Sequence, residues 1–264
     1  SRNTLAPPAV SPELWLLTGL AGFAAGLLDS IVGGGGLILT PAMLNLHPGL
    51  NILQTIATQR TSSLLGTSVA AWNYFRHVVV ERRIVVPALV SALAFSAVGV
   101  QFAKRADPEL LKMAVLAVCV LLAVYTVLRK DLGQREERRF APRHEAWAAL
   151  AVGGACGFYN GLIGPGTGTL LVFAFVSVIG LDFLKSSAVS KSTNVAADLS
   201  SWTVLALSGY VVWLLAIPLI IGNMLGSYVG SKLAIRQGDR FIRMVFLAVV
   251  LALVARLAWG VFFT

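Results

Sequence analysis

Hydrophobic residues come in long blocks from Leu14 onward, separated by short polar stretches. The blocks cover about 14–46, 55–79, 84–103 and 110–128, then about 146–179, 186–208, 211–234 and 241–263. Apolar runs of about twenty residues with few charges predict helices that cross a bilayer. Nothing has the roughly ten-residue alternation of a membrane β-barrel strand. The pattern therefore predicts an all-α integral membrane protein, a helical bundle of about eight spans. The first run, from Leu14, reads as a retained signal-anchor span, since no cleavable signal is visible.

One charged stretch, "RKDLGQREERRFAPRH" at about 129–144, divides the chain. It leaves an N-terminal tail at 1–13, a first transmembrane repeat at 14–128 and a second at 145–264. Sliding the sequence against itself by 131 residues, without gaps, places Gly22, Gly26, Gly33 and Gly35 on Gly153, Gly157, Gly164 and Gly166. In the same register Arg60 falls on Lys191, Pro87 on Pro218, and Ser96, Val98 and Gly99 on Ser227, Val229 and Gly230. This reads as an internal duplication of a four-segment unit. The two repeats should form one membrane domain, because neither buries its polar positions alone.

The first block of each repeat is too long for an ordinary span. Residues 14–46 as one straight helix would reach about 48 Å, against a hydrocarbon core of roughly 30 Å. "GGGG" at Gly33, Gly34, Gly35 and Gly36 interrupts the first, and "GPGTG" from Gly164 to Gly168 the second. Glycine costs about 1 kcal/mol relative to alanine in a helix interior, and Pro165 lacks a donor. Each repeat is expected to open with a glycine-broken helix that still counts as one crossing. That gives parallel repeats with both termini on one side, here taken as periplasmic. A re-entrant hairpin is the alternative, and it would invert one repeat.

Composition agrees with the pattern. The chain is 57% hydrophobic and 12% charged, and a soluble domain would carry roughly twice that charged fraction. The formal charge of +9 sits in short loops such as Arg82-Arg83 and Lys104-Arg105. It reads as topology signals and headgroup contacts rather than a nucleic-acid surface. Cys119 and Cys156 lie in apolar runs, and His47, His77 and His144 lie near segment ends without ligand spacing. No metal or cofactor is implied.

The breaks predict the chemistry. Irregular backbone at membrane depth survives only buried in protein or lining a wet cavity. A break frees the N–H groups of the next half-helix, near Leu37 and Thr169, and such ends bind anions. Close helix packing is the competing use of these glycines, and it suits the spaced Gly22, Gly26, Gly153, Gly157, Gly222, Gly226 and Gly230. "ATQRTSS" (57–63) and "AVSKSTN" (188–194) place Arg60 and Lys191 among Thr58, Gln59, Ser192 and Asn194. Two cations and two helix N-termini suit a small anion. Alternatively, both cations snorkel to a headgroup. Asp29, which falls on Asn160, and Asp198, seven residues after Lys191, read as counter-ions or as carriers of a coupling proton.

"GLLDSIVGGGGLILTPAML", its echo "GFYNGLIGPGTGTLL", and the two polar segments resemble the TauE/SafE sulfite-exporter family over nearly the whole chain. That resemblance implies a bacterial inner-membrane, multi-pass permease for a small organosulfur anion such as sulfite or a sulfonate. It implies substrate contacts at Asp29, Gly33 to Gly36, Arg60, Asn160, Gly164, Gly166, Gly168, Lys191 and Asn194. Thr58, Gln59, Thr167 and Ser192 join them from the polar surroundings. The partners expected are the anion, the bilayer and, as an arrangement left open, a second copy in a homodimer. A passive anion channel would share this composition. An intramembrane aspartyl protease using Asp29 and Asp198 fits poorly, because its Gly-x-Gly-Asp element is missing. No P-loop is present, so transport would be secondary, with protons as the expected driver.

Overall fold

The computed structural model describes residues 11–103 and 136–262, which are helical and contain no strand. The apolar segment at 110–128 and the linker up to residue 135 lie outside the described residues. Helix α1 is Pro12–Val32. Ser11 accepts from the Leu14 amide at its start, with Pro12 in the first turn. It ends at Gly33, whose φ of +87° is the left-handed closing conformation. Helices α2 (Gly35–Leu46) and α3 (Ile52–His77) follow, α3 opened by a reciprocal cap between Asn51 and Gln54. Next come α4 (Arg82–Ala103) and α5 (Pro142–Leu162). Helix α6 (Thr167–Ala174) runs on as a π-helical turn, Phe175–Ile179. The last three are α7 (Phe183–Leu207), α8 (Trp213–Gln237) and α9 (Asp239–Phe262).

Among the described residues α1, α4 and α8 are the helices long and apolar enough to cross a membrane. Their outer faces expose Leu16, Leu20, Val86, Val90, Ile221 and Leu225. In water that surface would be a liability; in a bilayer it is the lipid face. Helices α3 and α7 are as long but bury their polar stretches, including Thr58, Gln59, Arg60, Ser190, Lys191 and Asn194. They form the centre of the bundle.

The expectation of a single interrupted crossing at each glycine run is corrected. Helix α2 turns back along α1. The Gly35 amide lies 3.4 Å from Asp29 Oδ1, and a Cβ on Gly35 would stand 2.5 Å from the Ala25 carbonyl oxygen. Leu39 and Met43 share a core with Ala25, and His47 Nε2 is 2.9 Å from Thr18 Oγ1. The second half does the same. Past α6, the carbonyls of Gly180 and Ile179 accept from Glu137 and Arg139, just before α5 begins. Both breaks are therefore re-entrant hairpins. Gly33 and Gly166, at φ of +87° and +88°, supply backbone that L side chains rarely adopt. Hydropathy records that a run is apolar but not which way the chain travels.

The senses of the helices follow. Helix α2 ends beside Thr18, so α3 starts there and runs alongside α1. Tyr74 donates to the Ser30 carbonyl and Thr67 to Asp29. Helix α7 runs alongside α5 in the same way and reaches Asp198 beside Asn160. Yet α3 and α7 oppose one another. Thr61 meets Trp202, while Thr67 shares Asp29 with Lys191, eleven residues earlier on α7. Helices α1 and α5 therefore point in opposite directions, which corrects the parallel expectation. The physical reason is the parity of the re-entrant hairpins.

Spaced glycines hold the bundle at backbone distance. Gly22 and Gly26 of α1 face Leu219 and Asn223 of α8, and Gly153 and Gly157 of α5 face Ala88 and Ala92 of α4. A Cβ on Gly22 would stand 2.8 Å from the Leu219 carbonyl oxygen. Each half's first helix thus packs on the other half's α4 or α8, so the halves interlock.

At one end, charges knit the chain together. Arg138 donates to both Glu81 carboxylate oxygens at 2.9 Å and to Glu145 at 3.0 Å, and it pairs with Glu136. Arg83 holds Glu145 at 2.8 Å, and Lys185 pairs with Glu136. This network joins the starts of α4, α5 and α7. Burial works to raise the Glu81 and Glu136 carboxyls, but hydrogen bonds from Arg138 and Lys185 outweigh it and hold both below the usual range.

Candidate functional site at the hairpin tips

The two hairpin tips touch at the centre of the bundle. The Thr169 amide donates to the Gly33 carbonyl at 3.2 Å, and a Cβ on Gly33 would overlap the Gly168 backbone. A Cβ on Gly36 would stand 3.3 Å from Pro165 Cα. Only glycine at positions 33 and 168 allows this approach. Helices α2 and α6 both start here, at Gly35 and Thr167, two residues earlier than the sequence suggests. First-turn amides have no partner within their helix, so both helices present donors and positive dipole ends to the same place.

A cavity of about 40 Å³ lies between the tips, above the roughly 10–15 Å³ that one water requires. Its walls include Asp29, Gly33, Gly35, Gly36, Gln59, Arg60, Asn160, Gly164, Gly166, Thr167, Gly168, Asn194 and Asp198. Four residues singled out in the sequence stand elsewhere. Gly34 packs towards Val249, Thr58 accepts from the Val212 amide at 3.0 Å, and Ser192 bonds carbonyls of its own helix. Lys191 is fully buried beside the cavity rather than in its wall. Pro165 of the expected Gly164–Gly168 run lines it too, and Leu39, Ser63 and Asn223 do so without having been anticipated. Ser63 was open to discovery, since the 131-residue offset places it on Asn194. Asn223 is a lone amide in the apolar "AIPLIIGNMLG" stretch, which is itself a signal.

Neither basic side chain reaches a headgroup: Arg60 is 6% exposed and Lys191 0%. Each caps the C-terminal turn of the opposite hairpin's first helix. Arg60 Nη2 donates to the Asn160 carbonyl at 2.6 Å, and Lys191 Nζ donates to the Asp29 carbonyl. Helix C-termini favour cations. The two contacts are equivalent under the 131-residue offset.

The acids break this symmetry. Asp29 lies 3.6 Å from Lys191 Nζ, accepts from Thr67 at 3.1 Å and caps α2 through Gly35. Asn160 stands at the equivalent place near Arg60 and donates to Asp198 Oδ1 at 2.8 Å. Asn194 donates to Asp198 Oδ2 at 3.2 Å. Among the described residues Arg60 makes no ion pair within 4 Å, and neither does Asp198. Cation, amide donors and helix N-termini together can replace the hydration of a small anion.

The model of the family described as sulfite exporter TauE/SafE matches residues 18–257. A probable membrane transporter protein, ORF9, from Sinorhizobium sp. is 31% identical over 239 residues, covering 90% of each chain. The probable membrane transporter protein YfcA of Escherichia coli K12 is 28% identical over 255 residues, covering 95% of this chain and 91% of that one. A probable membrane transporter protein of Haemophilus influenzae is 28% identical over 222 residues, covering 84% and 86%. No solved structure matches the chain. With the family match spanning all but the two ends of the sequence, this chain belongs to the TauE/SafE sulfite exporter family and is a membrane transporter rather than an enzyme.

Proposed function

We propose that the protein is a secondary, proton-coupled transporter of a small organosulfur anion, such as sulfite or a sulfonate, in a bacterial inner membrane. The observation that carries this reading is the meeting of the two hairpin tips over a cavity that Arg60 enters. Half-helix N-termini facing each other at the centre of a bundle are how several transporter folds bind anionic groups. Arg60 adds a delocalised cation whose fork matches an oxyanion.

The architecture fits the same proposal. We read the chain as two inverted repeats, together close to eight membrane segments. Two observations support this. The contacts Gly22–Leu219 and Gly153–Ala88 are related by one sequence offset, and α1 and α5 run in opposite senses. Inverted repeats provide a simple route to alternating access, because exchanging the conformations of the halves exchanges the open side. The expected substrate contacts are the Gly33–Gly36 and Gly164–Gly168 tips, with Arg60, Gln59, Asn160 and Asn194. Lys191 and Asp29 hold the first tip in place.

Counterflow in liposomes tests the reading. Purified protein is reconstituted with unlabelled sulfite or sulfoacetate inside, and labelled anion is added outside. Transient accumulation of label that saturates with concentration is the expected result. Folded protein that shows no counterflow with either anion would reject it.

A further inference from the structure

The two acids at the site are held so differently that they divide the work between them. This inference rests on the transport reading above. Asp29 is committed: it faces Lys191 at 3.6 Å, receives Thr67 and caps the start of α2. A proton on Asp29 would break that ion pair and leave Lys191 charged, fully buried and bound only to a carbonyl. Asp198 is 4% exposed, lines the cavity and is held by two amide side chains. A proton on Asp198 breaks no ion pair.

The surroundings of Asp198 can hold either state. Its own helix, α7, contributes Lys191 and Asn194, α3 contributes Arg60, α5 contributes Asn160, and α1 contributes Asp29. From α4, Ser96 donates to Asn160 Oδ1, and from α8 the nearby cavity residue is Asn223. Asn194 faces Asp198 through its amide nitrogen, and turning that amide over would present its oxygen as an acceptor to the hydroxyl of a protonated carboxyl. Arg60, Lys191, Asp29 and Asp198 are formally neutral together. A monoanion arriving at Arg60 makes the buried site negative, unless one proton arrives with it.

We infer that Asp198 is the proton-coupling residue of the transport cycle, taking up one proton as the anion binds beside Arg60, while Asp29 serves as the fixed partner of Lys191. The carboxylate gains the proton and becomes a neutral carboxyl, the anion keeps its charge, and the loaded site returns to neutrality. Both leave together on the other side.

The test uses full-length protein in liposomes with methanesulfonate, a monoanion whose sulfonate stays ionised well below the ordinary carboxyl range near pH 4. Two fluxes are compared: one-for-one exchange at equal pH, and accumulation driven by a pH gradient. Asp198→Asn is expected to lose gradient-driven accumulation by a much larger factor than it loses exchange. Its exchange should also lose dependence on pH between 5 and 8. Asp198→Glu should restore part of the accumulation. Accumulation in Asp198→Asn equal to the parent would overturn the inference while the transport reading stands. Absence of exchange in the parent itself would overturn the transport reading instead. Should Asp198→Asn fail to fold, infrared difference spectra of the parent and Asp198→Glu decide. A protonated-carboxyl band that appears on adding methanesulfonate and moves in the glutamate variant supports the assignment, and a band absent or unmoved refutes it.

Discussion

Arg60 of α3 donates a 2.6 Å hydrogen bond to the carbonyl of Asn160 on α5, one hundred residues away in sequence. Lys191 makes the equivalent contact to Asp29. Each cation closes the far hairpin, but only Lys191 also has a carboxylate within ion-pair distance. Arg60 thus keeps charge available to a ligand, whereas Lys191 has spent much of its own on the protein.

The two cations should therefore respond differently to removal. Arg60→Gln is expected to weaken sulfite or sulfoacetate binding tenfold or more, since a hydrogen bond to a charged group contributes about 1.5–3 kcal/mol. Lys191→Gln is expected to act on folding, because breaking a buried pair costs about 3–5 kcal/mol. Pairing it with Asp29→Asn should recover most of the lost stability. Isothermal titration and thermal unfolding of the three variants in detergent check both. Equal loss of affinity with unchanged stability in the single variants would refute the division.

The glycines differ in what they permit. Gly33→Ala should abolish counterflow and reduce folded yield, because φ is +87° there and the new Cβ would overlap Gly168. Gly49→Ala should be silent, since nothing lies within 4 Å of a Cβ at that position. Size-exclusion profiles and counterflow rates of the two variants give the comparison.

The reversal of α2 is directly measurable. In a continuous helix Thr18 and His47 would stand about 43 Å apart, at about 1.5 Å per residue. Here their side chains meet at 2.9 Å. Cysteines at both positions, in a background with Cys119 and Cys156 replaced, should be joined by a short bis-maleimide within one chain. Failure to crosslink under conditions that label each cysteine singly would restore the single-crossing picture.

The Arg138 network sets a pH dependence. Glu81 and Glu136 have folded-state pKa values below the usual one, so their contribution is present above the unfolded value near 4.3 and is lost as pH falls through the folded one. Arg138→Gln should destabilise the fold by about 1–3 kcal/mol at pH 7, less than a fully buried pair because Arg138 is partly exposed. The gap in Tm between parent and variant should shrink below about pH 4. A gap that widens on acidification would contradict the assignment.

Several residues that line the candidate cavity, and the cation beside it, are legible in the sequence. Adjacent glycines in an apolar run, and a cation at the same offset in each half, mark Gly33–Gly36, Gly164–Gly168, Arg60 and Lys191, because bilayer physics penalises each unless it has a use. The all-helical membrane fold was equally plain. The sense of α2 and α6 was not, since it depends on the left-handed backbone at Gly33 and Gly166. Nor was the cross-pairing of Arg60 and Lys191 with opposite hairpins, which arises only when the halves interlock. Asn223 was missed because its helix was read for its glycines, and those glycines are what bring it against Gly26 and Gly66.

The central claim is that the touching hairpin tips and Arg60 hold the anion. Crystals grown with selenite, a heavier analogue of sulfite, would locate it by anomalous scattering. The account predicts one strong selenium peak inside the bundle, between Gly33–Gly36 and Gly164–Gly168 and within ion-pair distance of the Arg60 guanidinium. A peak bound elsewhere in the bundle, or an empty cavity at a selenite concentration that saturates binding, would contradict it.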